Sequence, residues 1–201
     1  MAFLGIHIPH ETSRLISGIE VPGDKEDSAS LHVTLLYLGE NIPIKDISKA
    51  LVATYEVTSQ TSPFLLKANS LCCFPLNPDG KAAIIAPVAS QKLSDLNEDL
   101  KKAYDKSNIE YSKKFKEYKP HVTLSYHDEE IKKQKIDPIE WAVQEIVLWG
   151  GDNGDEKVFI TFPLTLKSNS VRPKPIKKAA RKNLAEMFES QLAKSTKNKI
   201  L

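Results

Sequence analysis

The feature that most constrains this chain is a four-residue motif that occurs twice. The sequence HVTL occupies residues 32–35 and again residues 121–124, and both copies lie in apolar, β-branched segments typical of strands. The chain has only five histidines, so a repeated motif that uses two of them by chance is improbable. One isolated His-x-Thr would be weak evidence, because most such histidines are ordinary strand residues. The repeat therefore favours two related lobes that face each other.

Strand geometry gives the motif a chemical meaning. Side chains alternate across a strand, so His32 and Thr34 share one face, as do His121 and Thr123. Imidazole titrates near neutrality, so one histidine can accept a proton while the other donates one. Threonine hydroxyls can donate hydrogen bonds to phosphate oxygens as negative charge builds up. The pattern predicts phosphodiester chemistry, with His32 and His121 catalytic and Thr34 and Thr123 phosphate-binding; the sequence does not say which histidine is the acid.

A metal site is the second interpretation of the same residues. Zinc takes at least three nitrogen, sulfur or carboxylate ligands, and two histidines with neighbouring hydroxyls are a poor set. The two cysteines, Cys72 and Cys73, are adjacent, and neighbouring residues of a strand point to opposite faces. They predict neither a disulfide framework nor a thiolate metal site. We therefore expect no metal and no cofactor.

The location of the protein is predicted from what the chain lacks. No apolar run reaches the roughly 18–20 residues that span a bilayer, so no membrane association is expected. The first residues have no basic leader before their apolar stretch, which argues against a secretory signal. Two free thiols are typical of a reducing compartment, so we predict a cytoplasmic protein.

The predicted elements mix helices and strands without strict alternation. Their short hairpin connections require antiparallel pairing, which gives an α+β fold. Predicted strands cover residues 2–8, 31–38, 64–74, 81–88, 121–126, 142–149 and 157–166, and predicted helices cover residues 10–18, 44–59, 90–107 and 128–135.

Charge divides the chain into two predicted regions. Its net charge is +2, but residues 171–201 hold nine basic and two acidic residues, so residues 1–170 are mildly acidic. Residues 176–194 have apolar side chains at helical spacing with basic residues on the opposite side, which predicts an amphipathic helix. Either its apolar side docks on the body or on a second copy, or its basic side contacts nucleic acid or a protein partner, and exposed apolar residues favour docking or a protein partner. An acidic body argues against a general nucleic-acid binder, although a local groove can still take a nucleotide or an RNA end. We predict a domain at 1–170 and a basic helical tail at 171–201.

The repeated motif resembles the signature of the 2H phosphoesterase superfamily, which includes LigT-like RNA 2′,3′-cyclic phosphodiesterases. Gly39 follows the first copy and Pro120 precedes the second, as is common in that family, and the resemblance covers about residues 1–166. It implies two pseudo-symmetric lobes of antiparallel sheet with outer helices, around a central groove that holds both motifs. It also implies metal-independent hydrolysis of a cyclic or internal phosphodiester.

The resemblance leaves the substrate open. An RNA 2′,3′-cyclic phosphate end, a cyclic nucleotide and a cyclic oligonucleotide signal are all compatible with it, and cleavage of a signal would make a counter-defence enzyme, as in some virus-borne members. A binding module that holds a phosphorylated nucleotide ligand without turnover is an alternative from another class. A third is an interaction protein whose functional part is the tail.

Three aromatic residues are further candidates for a role at the site. Trp149 ends a predicted strand and is a candidate to stack on a nucleobase, although packing is the commoner role for such a residue. Tyr37 and Tyr126 follow the two histidines at equal offsets. Strand alternation puts both tyrosines on the backing face, so we predict that they pack in the core.

Overall fold

The computed structural model describes residues 2–40, 44–114, 117–150 and 158–165. Within these residues the chain mixes strands and α-helices in the order that the sequence predicts for most of its length. The predicted tail at 171–201 lies outside the described residues. The strands are β1 (Ala2–His7), β2 (Asp24–Lys25), β3 (His32–Gly39), β4 (Phe64–Cys73), β5 (Ala82–Pro87), β6 (His121–His127), β7 (Gln134–Val143), β8 (Glu145–Gly150) and β9 (Val158–Pro163), and the helices are α1 (His10–Ser17), α2 (Ile44–Thr58) and α3 (Gln91–Lys106).

The strands form an antiparallel sheet in the order β7-β4-β5-β6-β3-β1-β8-β9, with β2 paired to β6 beside this path. The two motif strands, β3 and β6, are neighbours at its centre, where Val33 pairs with Val122. We call β3, β1, β8 and β9 the β3 half of the sheet, and β6, β5, β4 and β7 the β6 half. Each half carries one copy of the motif, and the architecture confirms the predicted α+β fold.

Helices α2 and α3 pack together on the buried side of the sheet. The hydroxyl oxygens of Thr54 in α2 and Tyr104 in α3 are 2.8 Å apart, and both residues are fully buried. Burial raises the pKa of Tyr104, so its hydroxyl stays protonated and able to donate. The inward positions of α3 follow helical spacing, as predicted, with Leu93, Leu96 and Leu100 all buried. This packing buries one face of the sheet. We call the opposite face, which carries the motif histidines and threonines, the groove face.

The predicted helix at 128–135 is wrong. Residues 128–133 are irregular, and strand β7 begins at Gln134. The predicted segment has only one apolar residue, Ile131, so it has no apolar face through which tertiary packing could stabilise a short helix. The strand contains Pro138, which has no N–H for a sheet hydrogen bond and is tolerated at a sheet edge or a bulge. Strand β7 is an edge strand, and its pairing with β4 is irregular between Ala68 and Ser70, next to the proline.

Two smaller differences concern strand boundaries. The predicted strand at 142–149 is divided at Gln144 between β7 and β8. The two strands have different neighbours, because β7 pairs with β4 at one end of the sheet and β8 pairs with β1 and β9 toward the other. A polar residue between two apolar runs gives no signal of such a break. Strand β2 lies in the segment 21–30, which the sequence predicts to be a loop.

Candidate active site

Strand β3 has a β-bulge directly after its motif threonine. In the pairing of β1 with β3, Leu4 lies opposite Leu36 and Gly5 lies opposite Thr34. Leu35 is therefore an extra residue with no partner in β1. A bulge shifts the alternation of the strand by one residue, so side chains beyond it change face.

Strand β6 has the same bulge at the same place in its motif. In the pairing of β5 with β6, Ile84 lies opposite Ser125 and Ile85 lies opposite Thr123. Leu124 is therefore the extra residue, and both Leu124 and Ser125 are buried. The two copies of the motif thus share a backbone irregularity as well as a sequence.

The carbonyl of each bulged leucine is satisfied from outside the paired strands. The carbonyl of Leu35 accepts a 2.6 Å hydrogen bond from Nδ2 of Asn97, a buried residue of α3. The carbonyl of Leu124 accepts a 2.8 Å hydrogen bond from the backbone amide of Glu26. A buried carbonyl without a partner is costly, so these two donors stabilise the bulges.

The bulges overturn the predicted core packing of the two motif tyrosines. Because two successive residues face the core at each bulge, Tyr37 and Tyr126 return to the same face as the histidines. Tyr126 is 38 % exposed, and the hydroxyl of half-buried Tyr37 donates a 2.6 Å hydrogen bond to the carboxylate of Glu40. That hydrogen bond raises the pKa of Tyr37.

The pairing of β3 with β6 brings the four predicted site residues together. The central valines of the two motifs pair with each other and are fully buried. In an antiparallel pair, the residues on either side of them are also neighbours, so His32 lies beside Thr123 and Thr34 lies beside His121. These four side chains are half-buried on the face opposite the valines. The pairing at the valines therefore places the two His-x-Thr motifs next to each other on one face of the sheet.

Both histidines are anchored by the same hydrogen bond. Nδ1 of His32 lies 2.8 Å from the carbonyl oxygen of Ser30, and Nδ1 of His121 lies 2.6 Å from the carbonyl oxygen of Lys119. A carbonyl can only accept, so Nδ1 carries the hydrogen in both rings. This fixes the tautomer and leaves each Nε2 to accept a proton when the ring is neutral or to donate one when it is charged.

The His121 ring is shielded from water and has a shifted pKa. Burial lowers the pKa of His121, the hydrogen bond to the carbonyl of Lys119 partly offsets this, and the nearby charge of His32 lowers it further. The ring of Phe74 meets the His121 ring edge to face, with centroids 4.8 Å apart and an interplanar angle of 86°. The lowered pKa favours the neutral form of the His121 imidazole.

Aromatic rings surround His32 more extensively. Phe3 stacks on it at a centroid distance of 4.7 Å and 30°, and Trp149 approaches it at 5.8 Å and 50°. Trp149 also stacks on Phe3, which lies opposite it in the pairing of β1 with β8. His7 lies opposite His32 across the pairing of β1 with β3, and its Nε2 is 3.2 Å from the carbonyl oxygen of Ala29.

Sequence reasoning missed Phe3 and Phe74, the two phenylalanines that contact the histidines. Neither belongs to a motif strand, so only the order of strands in the sheet places them beside the motifs. The alternation of β1 gives a partial signal, because Phe3 and His7 have the same parity on a strand that ends close to the first motif.

Within residues 2–40, 44–114, 117–150 and 158–165, no three histidine, cysteine, aspartate or glutamate side chains are grouped so that they could hold a metal ion. Cys72 and Cys73 are free, half-buried thiols in β4. No helix in these ranges is long and apolar enough to cross a membrane.

A family model described as the 2′-5′ RNA ligase superfamily matches residues 9–155, which include both motifs. The chain belongs to this superfamily. The match confirms the resemblance to the 2H phosphoesterases that the repeated motif indicates. Members of the superfamily are phosphoesterases, and membership supports phosphodiesterase-type activity for this chain.

Solved structures of two bacterial proteins share the fold of this superfamily member. TT0787 of Thermus thermophilus is 20 % identical, with a TM-score of 0.65 over 81 % of this chain and 97 % of that one. LigT of E. coli complexed with 3′-AMP is 18 % identical, with a TM-score of 0.63 over 82 % of this chain and 98 % of that one. At these identities the likeness shows the fold alone. No curated protein matches the chain.

Proposed function

We propose that this 2′-5′ RNA ligase superfamily member is a metal-independent phosphodiesterase that hydrolyses a cyclic phosphodiester through two histidines. The observation that supports the proposal is the pairing of β3 with β6 at the valines of the two motifs, together with the Nδ1 hydrogen bond that anchors each imidazole. Hydrolysis by this route needs one base, one acid and donors to the phosphate oxygens, and the four residues supply all of them.

His121 acts as the general base in this proposal. Its lowered pKa keeps the ring neutral, and its anchored Nδ1 leaves Nε2 as the acceptor. Nε2 takes a proton from a water molecule while the water oxygen forms a bond to phosphorus. His121 is then an imidazolium, and it returns its proton to solvent after turnover.

His32 acts as the general acid. Its Nε2 gives a proton to the ribose oxygen as the bond between that oxygen and phosphorus breaks, so the ring opens to a phosphomonoester. Thr34 and Thr123 donate hydrogen bonds to the non-bridging phosphate oxygens, where negative charge increases in the transition state. A proton taken from solvent by His32 completes the cycle.

The proposed substrate is a nucleotide that contains a cyclic phosphodiester. RNA 2′,3′-cyclic phosphate ends, cyclic nucleotides and cyclic oligonucleotide signals all present the required diester, and the last would make the protein a counter-defence enzyme. Structures of the similar LigT are complexes with 3′-AMP, NADP+ and ATP, which supports a nucleotide ligand. Trp149, half-buried beside Phe3 on the groove face, is our candidate to stack on the base.

Three predictions from sequence remain beside this proposal. The domain at 1–170 and the tail at 171–201 stay predictions, as does the use of the 176–194 helix for a protein partner or self-association. The cytoplasmic location also stays a prediction. We expect deletion of residues 171–201 to leave turnover unchanged and to remove only a partner or an oligomeric state.

The test is turnover of each substrate class in EDTA, with separation of the products. We expect one class to be hydrolysed, and the product, a 2′- or a 3′-phosphate, to identify the leaving oxygen. His32→Ala and His121→Ala each lose about 10²–10⁴-fold in kcat, the usual contribution of an acid or a base. His10→Ala is the matched control, since the His10 side chain is 80 % exposed outside the groove.

Two results would contradict the proposal. Full turnover by both alanine variants would exclude the two-histidine mechanism. Tight, stoichiometric binding of an intact cyclic phosphate, with no product from any class, would instead identify the non-catalytic binding module.

A further inference from the structure

The ring of Phe3 lies over His32 although the two residues are not paired. Phe3 lies opposite Tyr37 in the pairing of β1 with β3, and His32 lies opposite His7 at the other end of the same strand. The ring centroids of Phe3 and His32 are nevertheless only 4.7 Å apart. The Phe3 side chain must therefore lie flat along β1 and extend over the backbone from the Phe3–Tyr37 pair toward the His7–His32 pair.

Gly5 provides the space for this arrangement. A Cβ atom at Gly5 would lie 3.0 Å from Cε2 of Phe3 and 3.1 Å from the carbonyl oxygen of Val33. Both distances are shorter than ordinary van der Waals contacts, and the second is to backbone that cannot move freely. The absence of a side chain at Gly5 is thus what lets the Phe3 ring rest on the strand and reach His32.

The Phe3 ring is itself held in place. Trp149 stacks on it with centroids 5.3 Å apart and an interplanar angle of 21°, and Phe3 is only 5 % exposed. The hydrogen bond from Nδ1 to Ser30 fixes one edge of the His32 ring, while the stacked face of Phe3 limits rotation of the ring plane. Together these contacts determine where Nε2 of His32 points.

The β6 half does not repeat this arrangement. At the positions that correspond to Phe3 and Gly5, strand β5 has Ala83 opposite Tyr126 and Ile85 opposite Thr123. Neither residue is aromatic, so no flat ring lies along β5 there, and His121 meets the edge-to-face contact of the Phe74 ring described above. Because the motif strands share their bulges, the stacked ring is not a general requirement for folding such a strand.

We propose that Phe3, lying flat over Gly5, is a positioning residue that holds the imidazole of His32 for proton transfer. The inference rests on the proposed function, because it assigns Phe3 a part in the same reaction. It adds a residue that does not belong to either motif and that acts through His32 alone.

The experiment uses the full chain and compares Phe3→Leu with wild type on the substrate that wild type turns over. We expect kcat to fall about 10-fold with KM unchanged, since misplacement of a catalytic group by 1 Å can cost up to ~10²-fold. In NMR spectra of the free protein, the ring protons of His32 lose the upfield shift that the stacked Phe3 ring produces. Phe64→Leu is the matched control, because Phe64 is buried in β4 away from the groove, and it leaves kcat and the His32 shifts unchanged.

A double-mutant cycle tests the role of Gly5. Gly5→Ala pushes the Phe3 ring off the strand, so kcat falls in the same direction but by less. In the Phe3→Leu background the same Gly5→Ala change has a smaller effect on kcat, because the ring is gone and only the contact with the carbonyl oxygen of Val33 remains.

The proposal is overturned if Phe3→Leu moves the His32 ring protons yet keeps wild-type kcat, or if the two changes are additive. It is also overturned if the His32 shifts do not depend on Phe3. Failure of the proposed function is a separate result, because it shows as no turnover by the wild type itself.

Discussion

In both halves of the sheet a histidine donates its Nδ1 hydrogen to the carbonyl two residues earlier, and a leucine bulges out after the threonine. The surroundings of the two rings differ. His32 is covered by the face of Phe3, whereas His121 meets Phe74 edge to face and is shielded enough to lower its pKa. The repeated motif thus supplies two imidazoles with the same anchoring hydrogen bond, and residues outside the motif give the two rings different surroundings.

The bulges show the same asymmetry. The carbonyl of Leu35 depends on a side-chain donor, Asn97 of α3, while that of Leu124 depends on the backbone amide of Glu26. An ordinary side-chain substitution removes the donor of Asn97, whereas the amide of Glu26 is lost only if proline replaces that residue. The bulge of the β3 half can therefore be tested without a change to the backbone.

The largest expected effect separates the roles of the two histidines. On a substrate with an activated leaving group, such as a p-nitrophenyl phosphodiester, protonation of the leaving oxygen contributes little. We expect His32→Ala to recover most of its lost turnover on this substrate, while His121→Ala stays about 10²–10⁴-fold below wild type. Initial rates of both variants on both substrates provide the measurement. The reverse pattern would exchange the acid and the base.

The second prediction concerns the two threonines. Thr34→Val and Thr123→Val keep the side-chain shape but remove a donor to the phosphate, and each should lower kcat by about 10²-fold. Thr54→Val is the matched control, because its hydroxyl is paired with Tyr104 in the core and not with the groove. It should lower thermal stability and leave kcat unchanged. Full activity of either groove variant would remove that threonine from the mechanism.

The third prediction tests the side-chain donor of the β3 half. Asn97→Leu leaves the carbonyl of Leu35 buried without a partner, which should cost about 1–3 kcal/mol in the free energy of unfolding. It should also lower kcat, because the bulge next to Thr34 relaxes. Tyr104→Phe, in the same helix, removes a buried hydrogen bond far from the bulge and serves as the control. Denaturant titration and steady-state kinetics of both variants are the measurements. If Asn97→Leu and Tyr104→Phe have equal kcat values, Asn97 contributes only to the stability of the fold.

The smallest expected effect is a shift in pH dependence. The base must be neutral, so kcat/KM falls on the acid side as His121 is protonated, at a pH below the usual value of 6.5. Phe74→Ala admits water, and the pKa of His121 should rise toward 6.5, which moves the acid limb to higher pH. Phe64→Ala controls for loss of a buried ring. An unchanged acid limb would show that Phe74 does not shield His121.

A second pH effect follows from the same shift and concerns stability. Between the lowered pKa of folded His121 and its usual value of 6.5, the unfolded chain binds more protons than the folded one. His121 should therefore make the folded state less stable as pH falls through this window.

Much of the fold could be predicted because its signals are local. The apolar spacing of α3 and the apolar, β-branched runs of β3 and β6 lie within single elements, and the structure confirms these three elements. The failures concern partners that the sequence cannot show. Strand β7 contains Pro138, a residue that is atypical of strands, and only its pairing with β4 at the sheet edge identifies it. The predicted core packing of Tyr37 and Tyr126 is wrong because a bulge is defined by the opposing strand.

The amino-acid sequence alone establishes that two His-x-Thr strands exist and that each offers an imidazole and a hydroxyl on one face, since alternation is a property of a single strand. The tertiary structure decides that the strands are neighbours, that Phe3 covers His32 and that His121 is shielded by Phe74. Proximity, burial and a shifted pKa arise between elements that are far apart in the chain. The functional groups of each motif are therefore determined by a single strand, whereas the difference between the two histidines is determined by contacts between elements.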